Sequence, residues 1–219
     1  MQIGILGATG PAGSGLAGRL ASVGFDVVVG SRSKYKAMEV RDKLIDRWSD
    51  FDLSIDAADN EGASECDLVV IATPWDAASS TAASVSKQLE GKVVISMANA
   101  LAKVGHEFQP LVPPRGSVAA NVQAAIPKSL VAAAFHHVPA KELGNLSEPV
   151  VSDVLICSDH KAATSTVIDI VRRIPNMRPL DAGELSNAAP IEAFAAVLLQ
   201  LNVRYKTRAA VTFTGINLD

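Results

Sequence analysis

The chain has 219 residues, 48% of them hydrophobic and 20% charged, with a formal net charge of −3. Such a length suits one medium domain or a larger one with a small appendage, and the composition is that of a packed globular protein. The lack of a basic excess argues against nucleic acid as a partner, and no apolar stretch approaches the ~20 residues that span a bilayer.

Residues 3–6 form a short apolar run that predicts a first strand. Gly7, Gly10 and Gly13 follow at the spacing G-x-x-G-x-x-G. Residues 11–23 then read as a helix, with Leu16, Leu20 and Val23 on one face and Gly24 as its stop. A strand running into a glycine turn and then a helix makes a pocket for a pyrophosphate. The glycines allow a tight turn and close backbone approach, and the helix N-terminus turns its N–H groups toward the negative charge.

Residues 27–29 predict a second buried strand, 34–48 a polar helix and 53–55 a short third strand. DLVVIA at 67–72 predicts a fourth strand, followed by Thr73-Pro74-Trp75 and a helix to 89. KVVIS at 92–96 predicts a fifth. Continuous Val and Ile runs of this kind suit a parallel sheet covered on both faces. Residues 97–116 read as a loop, 117–125 as a short helix and 130–135 as a sixth strand.

The pattern then changes. Residues 136–149 read as mostly loop, 150–157 as a strand, 161–173 as a helix and 179–181 as extended. Residues 190–203 read as an apolar helix with Ile191, Phe194, Leu198 and Leu201 on one face, which fits either a subunit interface or a core of its own. The expected fold class is α/β: a Rossmann-type doubly wound parallel sheet over residues 1–140, with a small C-terminal α/β appendage over 141–219.

The end of the second strand bears on which dinucleotide is bound. An NAD-selective site places Asp or Glu about 20 residues past the glycine turn to accept from the ribose 2′-OH. Gly30-Ser31-Arg32 occupies that place here, with Lys34 and Lys36 following. A hydroxyl, a guanidinium and ammonium groups are available to a 2′-phosphate, and no carboxylate repels it. The expected cofactor is therefore NADP(H). Thr73-Pro74-Trp75 and Ser96-Met97-Ala98-Asn99 follow the fourth and fifth strands, where open parallel sheets bind their ligands. Trp75 fits ligand contact and helix packing equally well.

Cys66 and Cys157 form neither a C-x-x-C pair nor a metal-ligand spacing, and none of the four histidines sits in a metal motif. The cysteines read as reduced thiols and the N-terminus lacks the basic leader of a signal peptide, so a soluble, cytoplasmic protein is expected. No nucleophile motif is evident. His136-His137 follows the sixth strand on the ligand-facing edge. The residues alone leave open whether His136 meets a substrate or closes a hydrogen-bonded turn. Hydride transfer between bound cofactors needs positioning rather than a catalytic acid or base, so no catalytic side chain is assigned.

The opening GILGATGPAGSGLAGRLASVGFDVVVGSR, then ATPWDAA, VAAAFHHVPAKELGNL, DVLICSD, RPLDAGELSNA and NVRYKTRAAVTFTGI, resemble the coenzyme F420-dependent NADP oxidoreductases over nearly the whole chain. The resemblance implies reversible hydride transfer between NADPH and the deazaflavin F420 as co-substrate, and a homodimer. It implies NADP contacts at Thr9, Gly10, Pro11 and Ala12, a 2′-phosphate site at Ser31, Arg32 and Lys36, and further lining by Thr73, Ala77, Asn99 and Ala140. His136, Val138 and Pro139 would lie against the deazaflavin. His137 stands where Thr is commoner in that pattern, and Arg208 where His is usual. Two other readings remain at this stage: an NADPH-dependent flavin or ferric reductase, and an NADPH-binding redox sensor without turnover.

Overall fold

Thirteen elements carry the chain from its first residues to the end of the large sheet. They are β1 (Gln2–Leu6), α1 (Pro11–Ser22), β2 (Asp26–Ser31), α2 (Lys34–Arg47), β3 (Ile55–Asp59), α3 (Asn60–Ala63), β4 (Leu68–Ile71), α4 (Trp75–Ser84), β5 (Val93–Ser96), the hairpin strands β6 (Leu101–Val104) and β7 (Glu107–Pro110), α5 (Val118–Ala125) and β8 (Leu130–Ala133). Then come α6 (Ala140–Leu143), β9 (Ser152–Ile156), α7 (Lys161–Arg172), β10 (Met177–Asp181), a 3-10 turn at Leu185–Asn187 and α8 (Ala188–Tyr205). The structure is a computed structural model and describes residues 1–217.

Six strands pair in parallel in the order β3-β2-β1-β4-β5-β8. The chain winds outward from β1 to β3, returns to the other side of β1 as β4, and winds out again. The strand order thus reverses between β1 and β4, and the crevice beyond their carboxyl ends is the expected ligand position. Helices cover both faces, so β4 is apolar and buried along its length. The edge strand β3 instead alternates buried Ile55 and Ala57 with exposed Asp56. Its polar face explains why the apolar signal at 53–55 began two residues early and ended four residues short.

Strands β9 and β10 form a separate parallel pair, tied to the end of β8 by an antiparallel bridge between Ala133 and Cys157. One apolar core nevertheless runs from Ile3, Val29 and Val70 through Ala132 to Val154, Val167 and Ile170. Helix α6 lies close against α1 because both faces carry glycine. A Cβ at Gly15 would stand 2.9 Å from the Ala140 carbonyl oxygen and 3.1 Å from the Gly144 nitrogen.

Expectation and structure differ in detail at four places. The supposed loop at 97–116 contains the β6–β7 hairpin, which turns at Gly105 with φ +61°. The segment 136–149, read as mostly loop, also holds the four-residue α6. Helix α4 stops at Ser84 instead of 89, where Val85 N–H bonds the Ala82 carbonyl three residues back and tightens the last turn. Helix α8 divides the apolar face read from the sequence: Leu198 is buried and Ile191 packs against the core, while Phe194 and Leu201 are exposed, at 39% and 36%. Ala188, Glu192, Ala195 and Ala196 are buried beside Leu198. The small residues let α8 approach the body closely, and Glu192 finds backbone donors there.

Candidate active site

A cavity of about 1090 Å³ opens at the carboxyl ends of β1, β2, β4 and β5. Gly7, Thr9, Gly10, Pro11 and Ala12 form one wall. Gly7 adopts φ +84°, and a Cβ there would come within 2.6 Å of the Thr73 nitrogen, so the turn requires glycine. Gly10 is the N-cap of α1, and a Cβ on it would meet no atom closer than 3.8 Å. That side chain would project into the space a pyrophosphate needs. Pro11, at N1, has no N–H to satisfy. Ser14 N–H is the first of α1 to reach a backbone carbonyl, that of Gly10. Among the described residues, the N–H groups of Ala12 and Gly13 are left for a ligand. The first turn of α1 carries no acidic residue, so its dipole is open to an anion.

Ser31, Arg32, Ser33 and Lys36 line the next wall. They gather there because β2 ends at Ser31 and α2 starts at Lys34, and α2 also lacks an acid in its first turn. Among the described residues neither Arg32 nor Lys36 has a carboxylate within 4.0 Å. Lys34 does not reach the cavity. Two helix N-termini and two uncompensated cations thus face one space, a suitable environment for a polyanion.

The opposite wall comes from the segments after β4 and β5. Thr73, Pro74, Trp75 and Ala77 line it, as do Met97, Ala98, Asn99 and Leu101. Trp75, at the start of α4, is 36% exposed and presents a broad apolar surface to the opening. Thr73 Oγ1 and Asn99 Oδ1 are buried without a hydrogen-bond partner among the described residues. Orphaned atoms in a cavity of this kind fit a ligand that supplies the missing partners. A dinucleotide with an extra phosphate matches the donors and acceptors present. Sequence reasoning missed Ser33, Asn60, Ser80, Thr81 and Ser84, which also line the space. The run Ala77, Ser80, Thr81, Ser84 has the i, i+3, i+4, i+7 spacing of one helix face, a signal that could have found it.

The remaining expected residues lie off this cavity. Gly13 sits beneath its floor, packed against Ala8 and the Gly7 carbonyl. His136 and Val138 are buried, and Pro139 and Ala140 are half-buried, in the turn after β8. That turn is tied to the cavity wall where Asn99 Nδ2 donates to the His136 carbonyl at 2.5 Å. Both ring nitrogens of His136 lack a partner among the described residues. Burial, reinforced by the neighbouring His137 ring 5.2 Å away, pushes the His136 pKa down to about 3. His136 is therefore neutral near pH 7, with one N–H and one bare nitrogen.

The sequence profile of the family described as NADP oxidoreductase, coenzyme F420-dependent, matches residues 2–100. The F420-dependent NADP reductase of Methanocaldococcus jannaschii is 37% identical over 224 aligned positions, covering 100% of this chain and 98% of that protein. This chain belongs to that family. The F420-dependent NADP reductase of Methanothermobacter thermautotrophicus is 33% identical over 96% of this chain and 93% of its own length. A protein solved from Arthrobacter sp. FB24 superposes with a TM-score of 0.80 at 20% identity, covering 96% of this chain and 99% of that one, and supports the shared fold. Among the described residues, no helix is long and apolar enough to cross a membrane.

Proposed function

We infer that this chain transfers a hydride reversibly between NADPH and coenzyme F420. The observation that carries the reading is the uncompensated Arg32–Lys36 wall, in a chain that matches F420-dependent NADP reductases from end to end. When bound, the two cofactors supply donor and acceptor. The protein's own work is to hold them.

In this reading the Thr9 to Gly13 turn and the α1 N-terminus bind the pyrophosphate. Ser31, Arg32, Ser33 and Lys36 take the 2′-phosphate. Thr73, Pro74, Trp75, Ala77 and Asn99 line the path toward the nicotinamide, with Ala140 behind it. The turn carrying His136, Val138 and Pro139 seats the deazaflavin, and a neutral His136 offers it a hydrogen-bonding edge without charge. Asn99 joins the two seats, since its amide grips that turn while its carbonyl oxygen stays unpartnered beside the cavity. The demand on the fold is to bring the reacting carbons within ~3–3.5 Å of each other.

The same reading divides the chain into an NADP-binding domain over 1–140 and a C-terminal part over 141–219 that completes the acceptor pocket. It also includes a cytoplasmic homodimer. The exposed Phe194, Val197 and Leu201 of α8 supply an apolar surface suited to a second copy. The relatives above 30% identity that are covered over nearly their whole length are named for F420, so flavin or ferric reduction is the lesser alternative.

An acceptor panel tests the reading. The protein is mixed with NADPH and, in turn, F420, FMN or a ferric chelate, and the acceptor's absorbance is followed. F420 is the acceptor expected to be reduced. Turnover confined to FMN or iron, or NADPH binding with no turnover at all, overturns it.

A further inference from the structure

The turn after β8 is held from two sides. Asn99 grips the His136 carbonyl from the cavity wall. On the far side, His137 Nε2 lies 2.9 Å from the carbonyl oxygen of Asp153 in β9. Leu155 N–H approaches the same nitrogen at a longer 3.4 Å. A carbonyl can only accept, so the shorter contact puts the proton on Nε2, and Nδ1 is left bare, without a partner among the described residues. Burial keeps this imidazole neutral by lowering its pKa. A charged ring is not needed for the bond.

Asp153 is itself immobilised. Its buried carboxylate accepts from Arg178 Nε and Nη2, each at 2.6 Å, and from the Phe213 N–H at 2.6 Å. Its own N–H donates to the Val211 carbonyl at 2.7 Å. The backbone that receives His137 is therefore fixed by a bidentate ion pair and by the C-terminal segment. The turn needs such restraint. Phe135, buried and not glycine, enters it at φ +61°, a left-handed conformation that persists only where the surroundings impose it.

We propose that His137 is a positioning residue for the hydride acceptor: its bond to the Asp153 carbonyl fixes the turn that carries His136, Val138 and Pro139. The proposal rests on the reading that this turn seats the deazaflavin. His137 does not line the NADP cavity, so its loss acts first on the acceptor side and reaches that cavity at second hand, through Asn99. The C-terminal segment, through Asp153 and through the ion pair of Arg208 with Glu142 of α6, becomes part of the acceptor site's support.

Three variants test it: His137→Leu, which removes the donor; His137→Gln, whose side-chain amide reaches close to the Nε2 position; and His137→Asn, which is polar and too short. For each, kcat/KM for F420 is measured at saturating NADPH, and Kd for NADPH by calorimetry. His137→Leu and His137→Asn are expected to lower kcat/KM for F420 by about 10-fold or more, while the NADPH Kd stays within about 2-fold of wild type. His137→Gln is expected to recover to within about 3-fold of wild type. A purely structural role would weaken NADPH binding as well and would not be rescued by glutamine. If His137→Leu does not fold, His137→Asn carries the same expectation. Wild-type F420 turnover combined with unimpaired His137→Leu or His137→Asn, or with glutamine as poor as leucine, overturns the positioning role alone. A wild-type protein that binds NADPH without reducing F420 overturns both the role and the reading beneath it.

Discussion

Arg32 and Lys36 stand at the cavity wall without a carboxylate to neutralise them, and the account asks most of Arg32. Replacing it with alanine should raise the NADPH KM by the equivalent of about 1.5–3 kcal/mol of charged hydrogen bonding, and barely alter NADH use. Steady-state kinetics with both nucleotides measures this, and equal losses would remove the phosphate assignment. Ala12 gives the complementary case. Ala12→Leu crowds the pyrophosphate common to both nucleotides, so binding of NADPH and NADH should weaken in parallel. A titration that finds Ala12→Leu unchanged would put the dinucleotide elsewhere. These residues were legible in the sequence because a glycine turn and a strand end specify them within a few positions. His137 was legible only as a neighbour of His136. Its partner lies 16 residues away on another sheet, and no local spacing encodes that bond.

At the scale of elements, the docking of α8 turns on one side chain. Glu192 accepts from the N–H groups of Val118 and Ala119 at 2.8 and 3.1 Å, at the first turn of α5, where Ser117 caps the Ala120 N–H. Burial pushes its carboxyl up to about 7 from 4.5. The folded protein then keeps a proton that the unfolded chain has released. This contribution to stability is fully present below about 4.5 and is lost as pH rises to about 7, by roughly 3 kcal/mol. Thermal melts of wild type and Glu192→Gln across that range should diverge, with wild type losing Tm relative to the amide as pH rises. Parallel curves would mean that Glu192 titrates normally. Helix α8 was legible as an element from its apolar content, but its face was not. Leucine and phenylalanine spacing left an interface and a core both open, whereas the buried face combines Leu198 with alanines and the one carboxylate that meets backbone donors. The β6–β7 hairpin escaped for a related reason. Its strands are largely exposed, so they lack the apolar alternation that marks a strand.

For the whole molecule, the alternation of Val- and Ile-rich runs with helical segments was enough to foresee the parallel sheet and its ligand edge. The strand pairings and the core shared with β9 and α7 depend on long-range packing that no window of sequence contains. That packing leaves Phe194, Val197 and Leu201 on the outside. If these residues meet a second copy, Val197→Lys should convert a dimer into a monomer, read as a halved mass in light scattering. An unchanged mass would move the interface elsewhere or remove it.

The central claim is electrostatic: the cradle after β2 recognises the phosphate that separates NADPH from NADH. Calorimetric titration of the purified protein with each reduced nucleotide tests it most directly. NADPH is expected to bind at least about 10-fold more tightly than NADH, a difference that shrinks as salt is added. Equal affinity for the two nucleotides would contradict it.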